Sequence, residues 1–159
     1  MKSIRGHNKV TFDPISTVKI IKKQNRDILE FILAEFEVYM TLPSLHAYLL
    51  AKKLGGADVG KELEEIRKIL KIVPISEDVI KKAVEIDSAL VREGTLMKFE
   101  ELIIAASSIV TGTLLVVDDD VNKYKPLRKY GLEYTSLGSF LEKVNALAKD
   151  EAKREKIII

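Results

Sequence analysis

The chain has 159 residues, 47% hydrophobic and 31% charged, with no cysteine and a net charge of +2 from 26 Lys and Arg against 24 Asp and Glu. Its length suits one domain with a full core, and the missing cysteines exclude disulfides, thiolate catalysis and cysteine-held zinc. The balanced charge argues against holding nucleic acid by bulk charge alone. No apolar run reaches the ~18 residues of a membrane span, and an opening stretch without an apolar signal core implies a cytoplasmic protein.

In chain order, "KVTFD" (9–13) reads as a buried strand ending at an aspartate before Pro14. Apolar residues at helical spacing follow through "RDILEFILAEF", and "EVYMT" is a second strand. Pro43 opens a helix that Gly55 and Gly56 end, and "ADVGKELEEIRKIL" is amphipathic. "KIVPI" is a third strand. Ser76 caps a helix running to Gly94, with Glu77 and Asp78 in its first turn. "KFEELIIAASSIV" is a helix stopped by Gly112, and "TLLVV" is the fourth strand. A polar helix, "DVNKYKPLRKYG", leads to the strand "LEYTS", and a long helix closes the chain.

Short apolar strands alternating with helices predict an α/β fold of three layers, α/β/α, around a central, mostly parallel sheet of about five strands. One domain spans 1–159, with its core over about 8–148. The tail over 149–159 is basic and then apolar, and reads as loose, its final isoleucines asking for cover from the domain or from a second copy. Abundant Lys, Glu and Ile without Cys or Trp is a thermophile-like composition.

"TLLVVDDD" (113–120) sets three aspartates side by side at a strand end, a repulsion that a cation or a cluster of donors must absorb. Asp13 also stands at a predicted carboxyl end, so both groups belong to the edge where parallel sheets bind ligands. The aspartates resemble the opening strand of receiver domains, but 39 residues after Asp120 leave no room for the remainder of one. A calcium loop fails as well, since neither the turn glycine nor the closing glutamate is in place. The remaining reading is a phosphodiesterase pocket. There Asp13, Glu100 or Glu101, and Asp118, Asp119 and Asp120 would hold Mg2+ or Mn2+ through oxygen, activating a water against phosphate. Lys123, Lys125, Arg128 and Lys129 follow at once and are candidates for holding the phosphates of such a substrate.

The order of these elements resembles the PIN-domain nucleases, whose members include toxins of archaeal and bacterial toxin–antitoxin pairs. The resemblance runs from about Val10 to Leu141. "FDPIS" matches the first acidic motif with Asp13, "EELIIAASSIVTGTLLVVDDD" matches the later block with Glu101 and Asp119, and "LEYTSLGSFL" looks like the closing strand and helix. It implies a metal-dependent endoribonuclease acting on single-stranded RNA, with Asp13, Glu101 and Asp119 catalytic and Asp118 and Asp120 adding ligands. It also implies an antitoxin-like protein partner and a homodimer. The family's second acid is expected in "LPSLHAYLL", where Tyr48 stands. Pro14 and Val117 replace the usual hydroxyl residues, and Glu101 replaces the commoner Asp. A module of PIN fold that binds RNA or protein without turnover is the alternative that these departures raise.

Each residue also has a plain structural reading. Asp13 can cap a helix, the dipole favours Glu100 and Glu101 at a helix start, and Asp118 and Asp120 can serve a turn. The basic residues can form a solvated face. His46 reads as a core or interface histidine, and His7 lies far from it in sequence.

Overall fold

The computed structural model describes residues 7–118 and 120–157. Five strands, β1 (Lys9–Phe12), β2 (Glu37–Thr41), β3 (Lys71–Val73), β4 (Leu114–Val117) and β5 (Tyr134–Ser136), make one sheet in the order β3-β2-β1-β4-β5. All neighbours run parallel. The helices are α1 (Pro14–Ile20), α2 (Arg26–Glu35), α3 (Leu42–Leu54), α4 (Val59–Ile69), α5 (Glu77–Arg92), α6 (Phe99–Thr111) and α7 (Leu137–Ile157). The α/β expectation of about five parallel strands holds.

Alternation along β4 divides the core. Leu114 and Val116 join Val10, Phe12, Val38, Ile32 and Phe140 on one side, where α1, α2 and α7 lie. Leu115 and Val117 join Ile86, Leu90, Leu102 and Ile104 of α5 and α6 on the other. A sheet covered on both faces needs apolar residues at successive positions, and all four residues of β4 are buried. Edge-to-face packing of Phe12 on Phe140, 5.6 Å between centroids, ties β1 to α7.

The strand order also locates a crevice. From β1 the chain steps outward through β2 to β3, then returns to β4 on the other side of β1. The connections leaving β1 and β4 therefore depart in opposite senses, and a gap opens beyond the carboxyl ends of those two strands.

Four local expectations change. The segment after Asp13 is not a single approach to the helix at 26–35, because Pro14–Ile20 forms its own short helix and a 3-10 turn follows over Lys23–Asn25. Pro14 at the first helical position loses no hydrogen bond, which makes that start inexpensive. The third strand stops at Val73, since Pro74 brings no N–H to the ladder. Val121–Tyr130 is a 3-10 segment in place of an α-helix. Val121, Tyr124, Leu127 and Tyr130 recur every three residues, which suits three residues per turn, and Pro126 removes one donor. The tail is helical, not loose, as far as Ile157; the last two isoleucines lie outside the described residues. Among the described residues no helix is long and apolar enough to cross a membrane.

Candidate functional site

Asp13 follows β1 directly and is 2% exposed. Its amide continues the sheet by donating to the Val116 carbonyl at 2.9 Å. Its Oδ1 accepts from the Ser16 amide at 2.8 Å, so it caps α1. The Thr17 hydroxyl donates to the Asp13 carbonyl at 2.8 Å, and the Ser44 hydroxyl of α3 donates to the Phe12 carbonyl at 2.8 Å. The structural role is therefore real. A carboxylate this buried, with one oxygen on a cap amide, still calls for compensation of its charge.

A second acid arrives from α6. Glu101 stands in that helix's first turn with its side chain 20% exposed, and Lys123 Nζ lies 3.5 Å from its Oε1. Next to Lys123 in sequence, the 3-10 segment turns Tyr124 inward, where it is 1% exposed. Burial raises the Tyr124 hydroxyl well above the ordinary phenol range, and the negative charges of Asp13, Glu101 and Glu100 raise it further. One neutral hydroxyl thus sits among carboxylates from the end of β1 and the start of α6.

Beside this group lies an open cleft of about 700 Å³ lined by Lys19, Asp118, Asp120, Asn122 and Ser136. Asp118 follows β4 and forms an ion pair with Lys19 of α1. Asp120 Oδ1 accepts from the Asn122 amide at 3.0 Å and so starts the 3-10 segment. Asp119 lies outside the described residues. Among the described residues no group of three or more His, Asp or Glu is arranged to hold a metal ion. The charges of Asp13 and Glu101 both act on Tyr124, while Asp118 and Asp120 line the cleft.

The basic residues divide by role. Lys123 is turned inward to Glu101, Lys125 is exposed, and Arg128 stacks on the Tyr134 ring at 4.6 Å. Lys129 is held by Glu93 at 2.6 Å. His46 is exposed, not a core residue, and His7 pairs with Glu133 at 2.7 Å. Sequence reasoning missed Tyr124 and Lys19. The period of three through Tyr124 was the signal for the first; nothing local marks the second.

No family model matches the sequence. A VapC ribonuclease of Pyrococcus furiosus is 31% identical over 142 residues, which span 89% of this chain and 95% of that protein. The chain belongs to the VapC family of PIN-domain proteins. The fold agrees with VapBC-1 from nontypeable Haemophilus influenzae at a TM-score of 0.60 and 14% identity, over 80% of this chain and 97% of that one. It also agrees with VapBC2 from Rickettsia felis bound to a DNA fragment from their promoter, at a TM-score of 0.59 and 16% identity, over 80% and 98%. At those identities the agreement is one of fold.

Tyr48 stands where the resemblance leads us to expect a second acid. Its ring is buried with Met40 and Ile66, and its hydroxyl donates to Glu62 Oε2 of α4 at 2.9 Å. Burial raises that phenol, and Glu62 and then Glu65 add to the shift. Tyr48 is therefore tied to α4, and the phenol in the acidic pocket belongs to Tyr124.

Proposed function

We propose that this chain is a metal-dependent endoribonuclease that cuts single-stranded RNA beyond the carboxyl ends of β1 and β4, with Asp13, Glu101 and Asp119 as its acids and Asp118 and Asp120 in support. The observation that carries this reading is the placement of acids at one edge of the sheet: buried Asp13 directly after β1, its amide bonded to β4, and Asp118 directly after β4, lining the cleft there. The VapC ribonuclease relative supports the reaction class.

The donors here are all carboxylate oxygens, the hard ligands Mg2+ and Mn2+ prefer, and Mg2+ takes only one or two carboxylates beside waters and substrate phosphate. The chemistry of these donors suits such an ion, which Asp13 and Glu101 would hold. When bound, it supplies an activated water and neutralises charge developing on the phosphate. The chain does the rest. The cap on α1 fixes Asp13, and Tyr124 keeps its proton and can donate it in a hydrogen bond to a carboxylate or phosphate oxygen. Lys19 and Lys123 hold the acids' charge and turn to the phosphates when RNA enters. Lys125 and Arg128 extend this basic rim.

An antitoxin-like protein partner and a homodimer belong to the same proposal. The solved neighbours are VapBC assemblies by description. The outer face of α5 leaves Val84 and Val91 exposed one above the other, as a covering copy would require.

The second reading, an RNA-binding module without turnover, draws on the engagement of Tyr48 by Glu62, which leaves no acid from that turn of α3. Incubating a labelled single-stranded RNA pool with Mn2+, Mg2+ or EDTA, with Asp119→Asn as control, separates the two. Metal-dependent cutting that the variant loses supports the nuclease. A folded chain that binds RNA without cutting it under any metal supports the module.

A further inference from the structure

On the β2 and β3 side of the acidic pocket, away from the aspartate cleft, lies a groove of about 270 Å³. Its walls come from the same edge of the sheet. Leu42 and Pro43 follow β2, Ile75 stands two residues past β3, and Phe99 and Glu100 open α6. His46 of α3 also borders it. Phe99 is 65% exposed, although the rest of α6 buries seven consecutive residues from Leu102 to Ser108. This aromatic ring, at the lip of a groove, next to Glu100 and two residues from Glu101, is placed to receive a flat ligand.

We propose that this groove is a base-binding subsite, in which Phe99 stacks the unpaired RNA base beside the phosphate that a metal ion at Asp13 and Glu101 would receive, and Glu100 accepts a hydrogen bond from that base's exocyclic amino group. The inference rests on the ribonuclease reading above and adds to it where the neighbouring base goes. Three observations carry it. The groove lies close to the acidic pocket, because Glu100, which lines it, shares the first turn of α6 with Glu101, and its charge also acts on Tyr124. Its wall carries a carboxylate, which repels the phosphate backbone and leaves the flat, uncharged base as the part that enters. Its apolar lining suits an aromatic face, and recognition of single strands rests on such stacking, worth about 1–3 kcal/mol per base. A carboxylate is an acceptor only, so it can take a hydrogen bond from the exocyclic amino group of adenine, cytosine or guanine, a group that uracil lacks, while uracil offers it only the ring N3–H.

The test is binding of fluorescein-labelled ten-residue oligo(A) and oligo(U), read by anisotropy in Ca2+, with Phe99→Ala, Phe99→Tyr and Glu100→Gln. Phe99→Ala is expected to weaken oligo(A) binding about tenfold, with Phe99→Tyr within about twofold of the parent. Glu100→Gln is expected to narrow the preference for oligo(A). Unchanged oligo(A) affinity in Phe99→Ala overturns the subsite, and leaves the nuclease standing if the parent still cuts RNA. Unchanged affinity together with a fall in molar mass by light scattering also overturns it, and makes the face a protein contact. A parent that neither binds nor cuts RNA overturns both readings. Circular dichroism of Phe99→Ala, expected to match the parent because the ring is exposed, keeps misfolding from imitating the expected loss.

Discussion

The amide of Asp13 donates to the carbonyl of Val116 at 2.9 Å, so the β1–β4 ladder runs one residue past the last residue of β1. That bond sets the register of the acid after β1 against the acids after β4. Two residues beyond Val116 comes Asp118, so the two halves of the pocket are aligned by backbone and not by side-chain reach. Changes at Asp13 can therefore be separated into charge and cap.

Asp13→Asn keeps an oxygen for the Ser16 amide, and Asn caps as well as Asp. Cleavage is expected to fall to background with urea stability little changed. Asp13→Ala removes the cap too, and is expected to cost about 1 kcal/mol in addition. Paired activity and denaturation curves check this; an active Asp13→Asn would remove Asp13 from the chemistry.

Tyr124 and Tyr48 both have phenols raised above their unfolded value of about 10. The folded state therefore holds these protons more tightly than the unfolded state does. Their contribution to stability is fully present below pH ~10 and is lost as pH rises beyond it, by up to about 1.4 kcal/mol per pH unit for each phenol. Urea midpoints should be unaffected by these phenols from pH 8 to about 10 and decline beyond it, and Tyr124→Phe should flatten part of that decline. The cleavage profile between pH 6 and 9 should contain no ionisation from Tyr124.

Tyr48→Phe removes the bond to Glu62 and leaves the ring in place. It is expected to lower stability by about 1 kcal/mol and leave cleavage unchanged. A double-mutant cycle with Glu62→Gln, measured by urea unfolding, should recover the coupling. A large loss of activity in Tyr48→Phe would mean that Tyr48 works at the site after all.

Lys123 competes with any cation for Glu101. Lys123→Ala is expected to tighten Mn2+ binding about two- to fivefold, the range of a partly exposed ion pair, and to weaken RNA binding. Calorimetric titration of the ion and anisotropy of RNA measure the two effects separately. Weaker Mn2+ binding would mean that Lys123 organises Glu101 and does not compete for it.

Much of this was legible in the chain itself. Strand and helix periods, the Ser76 cap and the glycine stop at Gly112, whose φ of 66° suits a residue without a Cβ, are local properties. So is the position of Asp13 and the aspartate run after apolar strands. The identity of the phenol in the pocket was not legible. Tyr48 and Tyr124 both lie near apolar stretches, and choosing between them required knowing that Glu62 bonds the first and that the charges of Asp13, Glu101 and Glu100 act on the second. The pairing of Lys19 with Asp118 joins residues 99 positions apart, through the return of the chain to β4. The 3-10 segment was a different kind of miss: its period of three was present, but its composition resembled a polar helix.

The sheet ends in β3 on one side and β5 on the other, each three residues long, the first bounded by Pro74 and the second by the start of α7. A visiting strand would find only one or two free backbone pairs at either border, too few to zip onto. Any second chain that joins this one, copy or antitoxin, must therefore engage side chains on helices and grooves, and so recognise composition and shape in place of a repeating backbone pattern. Specificity among related pairs would then rest on a few apolar and charged surface positions. Such positions can change one at a time, without disturbing the sheet that carries the acids.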